Sequence, residues 1–469
     1  MMRLRWLGGA AMLALAACGQ PERTGSASSA SSSEERVAFP GDPFPSTYRP
    51  YPGVTTLITN ATIFDGEGGR VDGGSVLLAD GKVVAVGTAV NAPADAVVID
   101  GTGKFVTPGI IDIHSHLGDY PTPSVDAHSD GNEATDPVTA QVWAEHSVWP
   151  QDPGFARALT NGGVTTIQIL PGSANLFGGR SVTIKNVYAR TVQEMKFPGA
   201  PYGLKMACGE NPKRVYGSRN QMPSTRMGNV AVNRATWQEA REYMAEWDAY
   251  AEDGGDAPDR NLQMDTLVGV LKGDILVHNH CYRADEMAVV LDMAREFGYK
   301  VTSFQHAVEA YKIADLLKEH GTCASVWADW WGFKMESYDA IYENLPLLEA
   351  QGACATIHSD DPDGIQRLNQ EVGKALGDGR RIGIDISDEH AWTWLSFNPA
   401  TALGIAEQTG SLRPGKMADI VLWSGNPFST YTQTEKVWVD GALLYDSSDP
   451  TRRPVSDFEL GQVGEGDVK

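Results

Sequence analysis

Two styles of hydrophobic patterning alternate along this 469-residue chain. Near the start, short apolar or alternating runs at residues 55–59, 74–78, 82–87 and 96–100 are separated by Gly and Asp clusters and read as β-strands. The far end returns to that style at residues 418–423 and 437–444. Between them, strand-like runs at 110–113, 164–169, 204–208, 275–278, 301–304, 324–327 and 355–357 alternate with amphipathic stretches at 237–250, 284–297, 307–319 and 340–350. Repeated strand–helix units predict a parallel sheet with helices outside it. About 300 residues of such units match a (β/α)8 barrel better than a doubly wound sheet, which stays the alternative. The predicted class is therefore α/β: a TIM-like barrel over 107–408, inserted into a small β-sandwich domain built from 50–106 and 409–447, with 448–469 as a C-terminal tail.

The first residues follow a different logic. Arg3 and Arg5 precede an apolar run over 6–17. A bilayer span needs about 20 residues, and this run has the length of a signal-peptide core instead. Its end, Leu15-Ala16-Ala17-Cys18, resembles a bacterial lipobox. That resemblance implies removal of residues 1–17, acylation of Cys18, and a membrane-anchored, exported protein. Gly19 after the Cys resembles the outer-membrane default, with the protein facing the periplasm. Residues 18–49 begin Ser-rich and without apolar period, as in a tether.

Composition narrows the partners. With 38 Lys+Arg against 60 Asp+Glu, the formal net charge is −22. Bulk electrostatics thus exclude nucleic acid and attraction to an anionic membrane surface, which leaves acyl chains at Cys18 as the membrane contact. The other cysteines, Cys208, Cys281, Cys323 and Cys354, show no C-x-x-C spacing. Export would permit disulfides, but their strand-like surroundings read as those of small core residues.

The chemistry concentrates at strand ends. The run Thr107-Pro108-Gly109-Ile110-Ile111-Asp112-Ile113-His114-Ser115-His116 closes a strand with His-x-His. Residues i and i+2 share one face of a strand, so both imidazoles can address one ion. Later strands end in His278-Asn279-His280, in Gln305-His306 and in His358-Ser359-Asp360-Asp361. One such His is commonly a hydrogen-bonded core residue. Four strand ends carrying His or Asp at one pole are where a barrel places its chemistry. His128, His146, His320 and His390 fall outside the pattern and read as surface or supporting residues.

These motifs resemble the amidohydrolase superfamily, in the branch of imidazolonepropionase-like proteins and metal-dependent Xaa-Pro dipeptidases. The resemblance covers nearly all of 50–447. It includes Asn398-Pro399-Ala400 and Gly410-Ser411-Leu412-Arg413-Pro414-Gly415-Lys416-Met417-Ala418-Asp419-Ile420, which look like the family's exit from the barrel. It implies one or two divalent metal ions, Zn2+ above others, held by His114, His116, His280, His306 and Asp360. Asp360 would also accept the water proton, with His358 and Asp361 as its neighbours. A bridging carbamate formed from Lys205 and CO2 is the preferred fourth-strand ligand; Glu210 and Lys185 remain alternatives. The implied reaction is hydrolysis of an amide-type C–N bond in a cyclic amide or small peptide. Lactone or phosphotriester hydrolysis at the same metals, and a non-catalytic metal- or ligand-binding lipoprotein, are the competing readings. Arg214, Tyr216 and Arg283 lie just beyond ligand-bearing strands and are the candidates for holding substrate. No G-x-S-x-G elbow argues for a serine nucleophile. A homo-oligomer is compatible with all of this.

Overall fold

The computed structural model describes residues 42–452. The signal-like segment, Cys18, most of the tether and the last residues of the tail lie outside them. Both chain ends build one sheet. Its strands are β1 (Thr56–Phe64), β2 (Arg70–Ala79), β3 (Lys82–Gly87), β4 (Val97–Asp100) and β5 (Phe105–Pro108). The barrel strands follow: β6 (Ile110–Ser115), β7 (Val164–Ile169), β8 (Phe177–Lys185) and β9 (Gly203–Ala207). They continue as β10 (Leu276–Cys281), β11 (Ser303–His306), β12 (Cys323–Val326) and β13 (Ala355–Ile357). The chain then returns to the first sheet as β14 (Ile420–Trp423), β15 (Thr434–Val439) and β16 (Ala442–Asp446).

The first sheet runs β16-β15-β14-β5-β1-β2-β3, with β4 paired to β1. Ile58, Val76, Leu78, Val106, Ile420 and Trp438 fill its core. The strands at the two chain ends are thus joined edge to edge through β5 and β14. The expected sandwich is not what the pairing shows, since all eight strands belong to one hydrogen-bonded sheet. The apolar run at 437–444 is not one strand either. Asp440 and Gly441 both take positive φ (47° and 72°), the backbone of a tight Asp-Gly hairpin, and split it into β15 and β16.

The second sheet is ordered β6 through β13 by sequence. Its two edges meet: the Asp360 N–H donates to the His114 carbonyl at 3.0 Å. The barrel carries one strand that the patterning missed. β8 pairs antiparallel with both β7 and β9, whereas the other neighbouring strands pair in parallel. Of the helices, Ala284–Phe297 lies where expected and the stretch around 237–250 extends to Arg226–Asp253. The expected helix over 307–319 shrinks to Ala314–His320, because His306 and Ala307 take positive φ (71° and 38°) and turn the chain first.

The four cysteines are not free core residues. Cys208–Cys281 links the ends of β9 and β10, and Cys323–Cys354 links β12 to the approach of β13. Adjacent strands bring their Cα atoms to 5.2 Å and 4.5 Å, well within reach of a bridge. Spacing along the chain carries no trace of that pairing.

Candidate metal centre

The parallel strands deliver their C-terminal residues to one pole, and the functional side chains collect there. His114 and His116 sit on β6 and just after it. Lys205 is on the fourth strand of the barrel, β9, opposite His278 in register. His280 and His306 come from β10 and β11, and Asp360 follows β13. The Asp360 carboxylate lies 3.3 Å from His114 Nε2, 3.1 Å from His116 Nε2 and 4.0 Å from His306 Nδ1. Lys205 Nζ is 3.2 Å from His114 Nε2. The His280 and His306 rings are 4.6 Å apart, centroid to centroid. Asp360 reaches this position with a positive φ of 56°, as His306 does with its own, so strained backbone aims both side chains.

Proton placement on the imidazoles is decisive. His116 Nδ1 lies 2.7 Å from the Leu170 carbonyl, which can only accept, so Nδ1 carries a proton and Nε2 is the nitrogen turned to Asp360. His114 Nδ1 faces Gln305 Oε1 at 3.0 Å, and Gln305 is oriented by its own bond from Nε2 to Ser303 Oγ. Both Nε2 atoms are therefore turned towards one carboxylate oxygen, Asp360 Oδ1, and His114 Nε2 also faces Lys205 Nζ. In neutral rings with the proton on Nδ1, Nε2 is the ligating atom, and with the carboxylate these nitrogens form a donor set that fits a metal. His280 Nδ1, His306 Nδ1 and both nitrogens of His358 are buried without a hydrogen-bond partner among the described residues. Burial would push Asp360 up, but His114, His116 and His306 hold its carboxyl well below the usual range. Burial lowers His114 to about 4 and takes His280, His306 and His358 well below the ordinary imidazole value. These neutral imidazoles are in the state that binds metal. Burial also lowers Lys205 to about 8, which raises the neutral fraction able to react with CO2.

The other sequence candidates separate. Lys185 ends the antiparallel strand and lies at the opposite pole, fully buried, 2.9 Å from Asp419 and 3.2 Å from Asp440. It clamps the barrel to the first sheet and bridges no metal. Glu210 opens the helix Glu210–Gly217, with its carboxylate 3.9 Å from Lys334 Nζ. The segment 211–217, expected as a polar loop, is this helix. Tyr216 does not face substrate: it is fully buried and its hydroxyl donates to the Asp136 carbonyl at 2.6 Å. Arg283 is half exposed and engaged by Asp285 at 2.9 Å. Arg214 is exposed on the helix that starts at Glu210.

Two residues at the site, Asp112 and Glu336, were not singled out in the sequence, and His358 was placed there only as a neighbour of Asp360. His358 is more than a neighbour of Asp360: its ring lies 5.1 Å from His114 and 4.9 Å from His306. Asp112 is buried and accepts from His114 N (3.1 Å) and Ser359 N (3.2 Å), pinning first strand to last; burial pushes it up to about 7. Its place two residues before His114, on the same strand face, was the available signal. Glu336 accepts from Arg226 and from Glu210 N. Gly209 permits that contact: its φ is +78°, and a Cβ there would meet the Glu336 carboxylate at 2.4 Å.

Residues 105–445 match the model of the amidohydrolase family. The chain belongs to that family. An amidohydrolase of Thermotoga maritima of known structure is 38% identical, superposes with a TM-score of 0.77, and matches 83% of this chain and all of its own. Among curated relatives, amidohydrolase tasK of Hapsidospora irregularis is 29% identical over 88% of this chain, which spans 45% of that protein. Imidazolonepropionase of Klebsiella pneumoniae is 21% identical over 76% of this chain and 87% of its own length. Within this family the α/β TIM-like barrel has its expected place.

Proposed function

We propose that this amidohydrolase uses bound divalent metal to hydrolyse an amide-type C–N bond in a cyclic amide or small peptide. The observation that carries the reading is the convergence of His114 Nε2 and His116 Nε2 on the Asp360 carboxylate, with their Nδ1 atoms held by Gln305 and Leu170. His114, His116, His280, His306 and Asp360 would hold the metal, and Lys205 as a carbamate would bridge two ions. Nitrogen and carboxylate donors of this kind suit Zn2+, which when bound polarises a carbonyl and lowers the pKa of water to about 7. Carbamate formation joins Lys205 Nζ to the carbon of CO2 and releases a proton. Asp360, ionised, takes the proton of the attacking water at a carboxylate oxygen and gives it to the leaving nitrogen. Export and lipid anchoring at Cys18 belong to the same proposal, supported by the lipobox-like residues 15–18, and intact-mass analysis of the membrane fraction tests them.

The enzymatic test combines metal analysis with a panel of dipeptides, N-acyl amino acids and cyclic amides, assayed with and without chelator. Asp360→Asn should keep its metal and lose turnover. Lys205→Ala should lose at least one metal equivalent, and Glu210→Ala none. Full activity in Asp360→Asn, or chelator-sensitive turnover confined to lactones or phosphotriesters, refutes the proposal.

A further inference from the structure

The loop after β12 carries an unusual run, Trp327-Ala328-Asp329-Trp330-Trp331-Gly332-Phe333-Lys334. Trp327 is buried and stacks on the His306 ring at 4.4 Å. Trp330 and Phe333 each meet Trp327 at 5.9 Å, and they stay 47% and 59% exposed. An aromatic wall therefore leads from a metal-site imidazole out to solvent. Opposite in character is Lys334. Its side chain is only 15% exposed, and Nζ sits 4.3 Å from the centre of the Tyr282 ring, itself stacked on His306. Nζ donates to Asn211 Oδ1 at 3.4 Å, while Asn211 Nδ2 approaches His280 Nε2 at 3.4 Å. The ammonium is thus one side chain removed from His280.

This cation lacks a tight partner. Glu210 at 3.9 Å is the only carboxylate paired with it among the described residues. Glu336, also near, is engaged by Arg226 at 2.7 Å. Arg214 adds positive charge from the helix that carries Asn211. An ammonium has three donors and no acceptor, and a buried one without a close anion is costly unless a ligand completes it.

We infer that Lys334 holds a substrate carboxylate, with Trp330 and Phe333 covering an apolar group beside it. The substrate class is then an amide that also bears a free carboxylate, such as an N-acyl amino acid or a peptide with its C-terminus free. The inference rests on the amide-hydrolase reading above. It moves carboxylate recognition from Arg214, which is exposed, and Arg283, which Asp285 engages, to a residue the sequence pattern did not mark.

The probes are matched pairs: N-acetyl-phenylalanine against N-acetyl-phenylalaninamide, and Gly-Phe against Gly-Phe amide. The metal-loaded enzyme should prefer the free carboxylate in kcat/KM by about tenfold or more, the scale of one charge-assisted hydrogen bond. That preference should collapse towards unity in Lys334→Met, mainly through KM, and persist in Lys334→Arg. Trp330→Ala should raise KM for the Phe-bearing member more than for its alanine counterpart, which reads the apolar wall without touching Lys334. Equal use of both members by the native enzyme, or a preference for the amide, overturns the inference and leaves amide hydrolysis standing. A preference unchanged in Lys334→Met also overturns it. No turnover of any member while a cyclic amide is hydrolysed overturns the inference alone, and no turnover of any amide with metal bound overturns the amide-hydrolase reading and the inference with it.

Discussion

Replacing Lys185 by Met tests the structure's sharpest reassignment. Lys185 Nζ contacts both carboxylate oxygens of Asp419, at 3.0 and 2.9 Å, and Asp440 at 3.2 Å. Asp419 is further held by Thr409 Oγ1 at 2.6 Å and by Asp440 N at 3.0 Å, so both acids are fixed in place. The Met side chain fills most of the same volume, which keeps the cavity contribution small. What remains is two buried carboxylates without their cation. Breaking a buried pair on one side costs about 3–5 kcal/mol. Burial and the Asp419 charge already push Asp440 up, so it takes a proton readily and the cost falls near the lower end, about 3 kcal/mol. With a large-protein urea slope of about 3 kcal/mol per molar, the midpoint should fall by about 1 M. Tryptophan fluorescence and far-UV circular dichroism should report the same transition. Adding Asp440→Asn should restore part of the loss, since it removes one uncompensated charge. Metal content of the folded variant should match the native protein, in contrast to Lys205→Ala. A midpoint shift below about 0.3 M, or metal lost from a folded Lys185→Met, would refute the clamp.

Two further outcomes follow from the same geometry. Glu336 has an ordinary value of 4.5 that burial, with Glu286 and Glu210, raises to about 7 against Lys334 and Arg226. The folded state therefore binds the extra proton, and this stabilisation is complete below about 4.5 and lost as pH rises through about 7. Glu336→Gln should gain on the native protein across that window in pH-dependent unfolding, and a constant difference would contradict the burial argument. Removing the Cys323–Cys354 bridge with a double Ala variant opens a link spanning 31 residues, for which the loop-entropy relation gives about 4 kcal/mol. Differential scanning calorimetry should show a lower transition, and equal melting of variant and oxidised native protein would deny the bridge a role.

Much of the site could be read in the chain because strands have period 2. His114 and His116 had to share a face, and an apolar strand followed by His or Asp needs few alternatives at a barrel's C-terminal pole. The gathering of His280, His306 and Asp360 around them depends only on parallel strands in sequential order. What escaped depends on neighbours across the sheet or on loops. The disulfides are cross-strand contacts, and Tyr216 is buried because a distant backbone carbonyl at Asp136 claims its hydroxyl. Lys334 lies in a loop whose path no periodicity describes. His358 looked like a bystander because the two-residue step from it to Asp360 crosses a positive φ, which breaks the strand rule for which face a side chain takes.

Lys185 and Lys205 show where length alone would have decided. Both lie in apolar strands, and the charge of either could serve a bridge. β7 ends at Ile169 and β8 begins at Phe177. A parallel crossover needs about a dozen residues or more, usually a helix. The intervening segment is too short for one, so β8 has to run back against β7. Its C-terminal residue, Lys185, is thereby delivered to the pole where β7 begins, beside Thr166. β9 reverses once more, and Lys205 faces the pole of His114 and His116. Strand direction, set by a short connection, is what makes one lysine a clamp between sheets and leaves the other beside His114 at the candidate metal centre.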